Sequence, residues 1–172
     1  MPTHLIIDGY NLLGRVGALS GPMEPARELL LQALAEYRQR KLHPITVVFD
    51  GWKQRDTSER REHRAGVLVV YSKRGERADQ VIQRLAREYG ADAAVVTSDG
   101  EVARSAQASG AFVMGAQEFA LKLWAVPASG GPHHKELDGR EDDSPARDTK
   151  KKGNPRKLPK ARRARARQLK RF

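Results

Sequence analysis

The 172 residues include no cysteine. That absence excludes disulfides, thiolate catalysis and cysteine-based zinc sites. No apolar run is long enough to span a bilayer, so no membrane partner is expected. Met1-Pro2-Thr3-His4 lacks the basic start of a secretory signal, and the apolar residues that follow are too few. A soluble, cytoplasmic protein is therefore expected. Acidic residues are missing altogether from 150–172, where twelve residues are basic.

The charge that is present is unevenly placed. The chain carries a formal net charge of +11, of which residues 133–172 hold +9 and residues 1–132 only +2. The first part is long enough for one domain with a real core. The expected organisation is a folded body over 1–126, a polar linker over 127–149 and a basic tail over 150–172. The tail has too few apolar side chains to fold alone and is expected to be disordered in isolation. Its charge points to a polyanion, with Lys150, Lys151, Lys152, Arg162, Arg163, Arg165 and Arg167 as candidate phosphate contacts.

Short apolar runs alternate with helical patterns along the body. Leu5-Ile6-Ile7 reads as a strand buried on both faces, as do Ile45–Phe49, Val67–Tyr71, Ala94–Thr97 and Ala111–Met114. Leu12 to Pro25, with three glycines and two prolines, reads as a loop. From Ala26 the spacing of Leu30, Leu34 and Tyr37 predicts a helix that ends before Pro44. Further helices are expected over Ala78–Tyr89, with Val81, Ile82, Leu85 and Ala86 on its core side, over Gly100–Ala108, and from Ala116 to about Trp124. The last of these should bury Phe119, Leu123 and Trp124. Residues 52–66 are almost entirely polar and read as either a charged helix or a mobile loop. The alternation implies βαβ crossovers and a mostly parallel sheet, an α/β class.

Four acids recur at corresponding places: Asp8 after the first strand, Asp50 after the second, Asp79 at a helix start and Asp99 after the fourth strand. Ligand crevices of open α/β sheets lie outside the carboxyl ends of the strands. Taken singly, Asp-Gly after a strand is often only a turn. Asp79 and Asp99 also suit helix N-termini. Together on one edge they repel, and a cation would relieve that repulsion. Oxygen ligands without cysteine or a histidine pair suit Mg²⁺ or Mn²⁺. Asp8, Asp79 and Asp99 are the expected metal ligands, with Asp50 and Asn11 completing the catalytic group. The Asn11 amide could orient Asp8, a water or a phosphate, or cap a turn. Ser98 could bond a carboxylate or phosphate, or cap the helix after it.

Asp8-Gly9-Tyr10-Asn11 resembles the opening motif of the NYN domains, a branch of the PIN-like nuclease superfamily, and in particular the YacP-like group. Val48-Phe49-Asp50-Gly51, Arg77-Ala78-Asp79-Gln80-Val81-Ile82 and Val96-Thr97-Ser98-Asp99 continue the resemblance in the family's order over about residues 4–125. It implies a PIN-like, Rossmann-like three-layer sandwich, an acidic divalent-metal site and endoribonuclease activity, in some members directed at ribosome-associated mRNA. Asp8, Asp79 and Asp99 match the family's metal-site acids. Arg77 departs from the Thr or Glu that precedes Ala-Asp in YacP-like proteins; a cation there could bind phosphate or weaken metal affinity.

RNA, messenger or ribosomal, and with it the ribosome, are thus the expected partners, while the oligomeric state is left open. Trp52 could stack on an unpaired base, although its neighbours' balanced charge also fits a solvated surface. The competing reading is a non-catalytic RNA- or ribosome-binding module with structural acids. Phosphotransferase and serine-hydrolase chemistry have little support: no Gly-x4-Gly-Lys-Ser/Thr loop or G-x-S-x-G elbow occurs. A haloacid-dehalogenase site would need Asp where Tyr10 stands.

Overall fold

The structure, a computed structural model, describes residues 2–51, 57–125 and 160–172. The chain divides into two units, Met1–Ala125 and Val126–Phe172. In the first, six strands form one sheet: β1 (His4–Asp8), β2 (Ile45–Phe49), β3 (Arg60–Arg64), β4 (Val67–Tyr71), β5 (Ala93–Val96) and β6 (Phe112–Met114). Their order is β3-β4-β2-β1-β5-β6. All pairs are parallel except β3 with β4. The mostly parallel α/β reading holds.

Helices cover both faces. α1 (Gly9–Arg15), α2 (Met23–Lys41) and α5 (Ala116–Leu123) pack together on one side, and α3 (Ala78–Tyr89) and α4 (Gly100–Ala108) on the other. Successive strand residues point to opposite faces. Ile6, Val48, Val70, Val95 and Val113 therefore join Val81, Ile82, Leu85, Ala86, Val102 and Ala106 in one buried cluster. Leu5, Ile7, Val47, Phe49 and Val69 are fully buried on the opposite face. With both faces covered, the central strands need no polar side, which is why they read as continuous apolar runs.

Several expectations are corrected. Residues 12–25 are not a loop: α1 fills Gly9–Arg15, a 3₁₀ turn follows at Ala18–Ser20, and α2 already starts at Met23. Gly14 reads as a breaker, yet Asp8 accepts the Asn11 N–H and starts a helix that runs through it. Residues 60–64 are neither helix nor loop but an edge strand, paired antiparallel to β4 through a turn at Ala65-Gly66. The sequence shows no alternation there because neither face of Arg-Arg-Glu-His-Arg is fully buried. Such charge suits an exposed sheet edge. Trp124 follows α5 and is 45% exposed, not core. In the second unit, Lys160–Leu169 form a helix, α6, within the tail that is expected to be disordered in isolation. Ala, Arg, Lys, Gln and Leu are all good helix formers. Ten residues remain marginal for an isolated helix in water. Residues 127–149, Trp52 and Lys150–Lys152 lie outside the described residues.

Candidate functional site

The parallel strands run in the order β4-β2-β1-β5-β6, so the chain crosses one way from β1 to reach β2 and the other way to reach β5. The carboxyl ends of β1 and β5 flank this reversal, the place where open α/β sheets open a crevice. Asp8 is the last residue of β1, and Thr97-Ser98-Asp99 follow β5. The two turns are tied together directly: the Asn11 side-chain carbonyl accepts the Ser98 N–H at 2.8 Å. The Ser98 hydroxyl accepts the Ala116 N–H at 3.2 Å, extending the link to the start of α5.

Asp50, at the end of β2, accepts the Ala78 N–H at 2.7 Å and so satisfies an end of α3. Asp79, one residue on, lies in the first turn of that helix. Asp99 caps α4, accepting the N–H groups of Glu101 and Val102 at 2.8 and 3.0 Å. Ser98 is therefore a brace between turns and not the cap. Asn11 positions Ser98 with its side chain and Asp8 with its backbone N–H, at 3.1 Å. Gly51 lies so close to β4 that an added Cβ would collide with the Ser72 carbonyl, and its N–H donates to the Ser72 hydroxyl at 3.1 Å. A Cβ at Gly9 would strike the Phe49 ring.

The electrostatics separate the four acids. Asp8 is 7% exposed. Burial pushes its pKa up to about 6, helped by the charges of Asp79, Asp50 and Asp99 and opposed by the Asn11 hydrogen bond. Asp79 is also raised, by partial burial first, while Arg77 pulls it down and Asp99, Asp50 and Glu101 push it up. Asp99 is lowered, chiefly by its two backbone hydrogen bonds, with Arg104 and Arg77 contributing. All four acids thus lie within electrostatic reach at one edge of the sheet.

Among the described residues, no three His, Cys, Asp or Glu side chains converge tightly enough to enclose a metal ion. The donor chemistry is nevertheless that of a hard cation: carboxylates plus one amide, with a buried carboxylate under repulsion from its neighbours. Mg²⁺ commonly binds through one or two carboxylates and keeps several waters. An open set of this kind fits it without a full protein cage.

Arg77 is 80% exposed at its side chain and its guanidinium lies 3.5 Å from Asp79. Arg104 on α4 is not among the residues expected from the sequence; its influence on Asp99 places it beside the same edge. Its position five residues after Asp99, on the first turns of a helix, is the signal that could have found it. Thr97, whose hydroxyl accepts the Asp99 N–H at 3.1 Å, and Ser72 are likewise additions. Both are buried small polar residues at strand ends. Arg162, Arg163, Arg165 and Arg167 lie on α6 in the second unit.

Residues 5–165 match the model of the YacP-like NYN domain family. The YacP protein of Bacillus subtilis strain 168 is 34% identical over 92 residues, covering 48% of this chain and 51% of its own length. The match thus spans about half of that curated relative. The crystal structure of Rae1 (YacP) from Bacillus subtilis aligns with a TM-score of 0.58 and 28% identity, covering 72% of this chain and 74% of that one. A point variant of Rae1 aligns with the same TM-score at 30% identity, covering 70% and 74%. Among the described residues no helix is long and apolar enough to cross a membrane.

Proposed function

The chain belongs to the YacP-like NYN domain family, and from that premise we propose that it is a divalent-metal-dependent endoribonuclease, a hydrolase acting on RNA in the cytoplasm. The observation that carries the reading is the acid edge at the reversal of strand order, where buried Asp8 is pushed up to about 6 beside three further carboxylates. A fold gains nothing in stability from such a grouping; a cation and a phosphate would be its natural complement.

Asp8, Asp79 and Asp99 would hold Mg²⁺ or Mn²⁺. The ion would neutralise phosphate charge and make a nucleophile available from water near neutral pH. The chain's own residues set the stage. Asn11 and Ser98 lock the β1 and β5 turns together. Asp50 fixes the start of α3, which carries Asp79. Arg77 and Arg104 supply positive charge beside the acids, where a phosphodiester would sit. Bases of the second unit, including Arg162, Arg163, Arg165 and Arg167 on α6 and Lys150–Lys152 outside the described residues, would add sequence-independent hold on messenger or ribosomal RNA, and Trp52, also outside them, would stack on an unpaired base. Ribosome-associated mRNA is the substrate class the resemblance favours.

The direct test is cleavage of labelled single-stranded RNA by the wild type and Asp8→Asn, both prepared free of contaminating nucleases. Wild-type cleavage that needs Mg²⁺ or Mn²⁺ and stops with EDTA, absent from the variant, supports the reading. Equal cleavage by both proteins overturns the site. A binding module without catalysis is the second reading, favoured by the Arg77–Asp79 pair, which occupies one proposed ligand. RNA binding with no cutting, even on translating ribosomes, would select it. Deleting residues 150–172 should weaken RNA binding and flatten its salt dependence; an unchanged slope would remove the tail from the interface.

A further inference from the structure

One residue before Asp50 along β2, the side chains change character. Asp50 belongs to the acid edge, whereas Phe49 points to the opposite face and packs against Tyr71 of β4, rings stacked with centroids 5.9 Å apart. Tyr10, from the same turn as Asp8, meets Phe49 edge-on at 5.1 Å. Two arginines lie over this aromatic shelf. The Arg27 guanidinium sits 5.9 Å from the Phe49 centroid and 5.8 Å from that of Tyr71. The Arg60 guanidinium sits 5.1 Å from the Tyr71 centroid.

The two cations are not equivalent. Arg27 has a side chain only 15% exposed and is paired with Glu24. Arg60 is 48% exposed and bonds Glu62 at 2.8 Å along the edge strand. An exposed ion pair of this kind contributes little, so a phosphate can replace the carboxylate at small cost. A guanidinium held flat on a ring is also pre-oriented to present its fork to phosphate oxygens. With Arg77 and Arg104 beside Asp79 and Asp99, the acid edge is bracketed by cations: one group on the α3–α4 side, the other beyond β2 and β4.

Resting on the endoribonuclease reading, we propose that Arg60 is a substrate phosphate contact next to the cleavage site, that Arg27 is its positioning residue through the Phe49–Tyr71 shelf, and that single-stranded RNA crosses the edge between Arg77/Arg104 and Arg60. Tyr10, half-buried between the acids and the shelf, offers its ring to the base at that crossing.

The test uses the full chain carrying Asp8→Asn, without metal, and a uridine-rich single-stranded RNA bearing 4-thiouridine. Photocross-links are mapped by mass spectrometry, and affinity is measured against salt. Adducts on peptides containing Tyr10 or residues 60–71 are expected. Arg60→Glu should lower affinity about tenfold and reduce the salt slope by about one. Arg27→Lys, which keeps charge but loses the planar fork, should weaken binding about threefold. In the cleaving protein, Arg60→Glu should raise KM with kcat nearly unchanged. Adducts confined to residues 150–172, together with unaltered affinity and slope for Arg60→Glu, would overturn the proposal. Because binding is read without cleavage, an Arg60 effect in a protein that never cuts would defeat the nuclease reading and leave the subsite standing.

Discussion

The two ends of the central sheet hold their titratable groups by opposite rules. At the amino end, His4 Nε2 and the Thr46 hydroxyl share a hydrogen bond of 2.7 Å, and the His4 ring stacks on Tyr89 at 4.2 Å. His43 Nδ1 accepts the Thr3 N–H at 3.1 Å. Burial lowers the His4 pKa, with Glu88 opposing, so the ring is neutral at ordinary pH. At the carboxyl end the buried titratable group is Asp8, raised by that burial and then by the like charges around it. Neutral, mutually bonded groups are what a fold tolerates inside. A carboxylate held against its own preference marks the end where a ligand is expected.

The comparison can be broken most sharply at Asp8. An acid whose folded pKa is raised costs stability once it ionises. The cost is absent below the unfolded value of 3.8, grows as pH rises through about 6, and is complete above it. Asp8→Asn keeps an acceptor for the Asn11 N–H and should therefore gain up to about 3 kcal/mol at pH 8, a gain that vanishes by pH 4 in urea titrations. The same variant should lose RNA cleavage by about a thousandfold. A variant less stable than wild type at pH 8 would mean that Asp8 is structural. Mn²⁺ should raise the wild-type Tm and leave that of Asp8→Asn nearly unchanged.

At the amino end the expectation reverses. His4→Ala should destabilise by about 2 kcal/mol through loss of a part-buried hydrogen bond and ring packing, with kcat and KM unchanged. A histidine with a lowered folded pKa contributes stability above 6.5 that is lost as pH falls through its folded value. Wild type should thus weaken more on acidification below pH 6.5 than His4→Ala does, as denaturation curves would register. At Asp99 cap and charge can be separated. Asp99→Ala should cost about 1 kcal/mol, while Asp99→Asn, a good cap, should cost almost nothing. Both should cleave poorly if the charge is what matters; normal cleavage by Asp99→Asn would leave Asp99 a cap alone. The smallest effect is assigned to Arg77→Gln, a few-fold rise in KM for RNA with stability unchanged, since its exposed pair with Asp79 contributes about 0–1 kcal/mol.

Much of this architecture is legible in the residues because the central strands are apolar on both faces and the helices follow with their own period. α1 and β3 are not legible, for opposite reasons. α1 begins inside a glycine-containing motif whose capping acid reads as a ligand candidate. β3 takes its place from pairing with β4 and not from burial, so its side chains carry no alternation. At the site, the shared edge of the four acids follows from strand order. The bonds that hold it do not: Asn11 to Ser98 and Asp50 to Ala78 join residues 87 and 28 positions apart. Such partners are set by register, which a single sequence does not display. Arg60 reads as part of a charged stretch, and its seat on Tyr71 exists only because β3 pairs back onto β4.

The Asn11–Ser98 bond has a bearing on synthesis. It joins the second turn of the site to the first across most of the body, and β5 must slot in beside β1 before it can form. A nascent chain that has exposed only its first two strands holds Asp8 and Asp50 but has neither Asp79 nor Asp99 beside them. The edge is therefore complete only once β5 and the turn after it have been made, when most of the body is already translated.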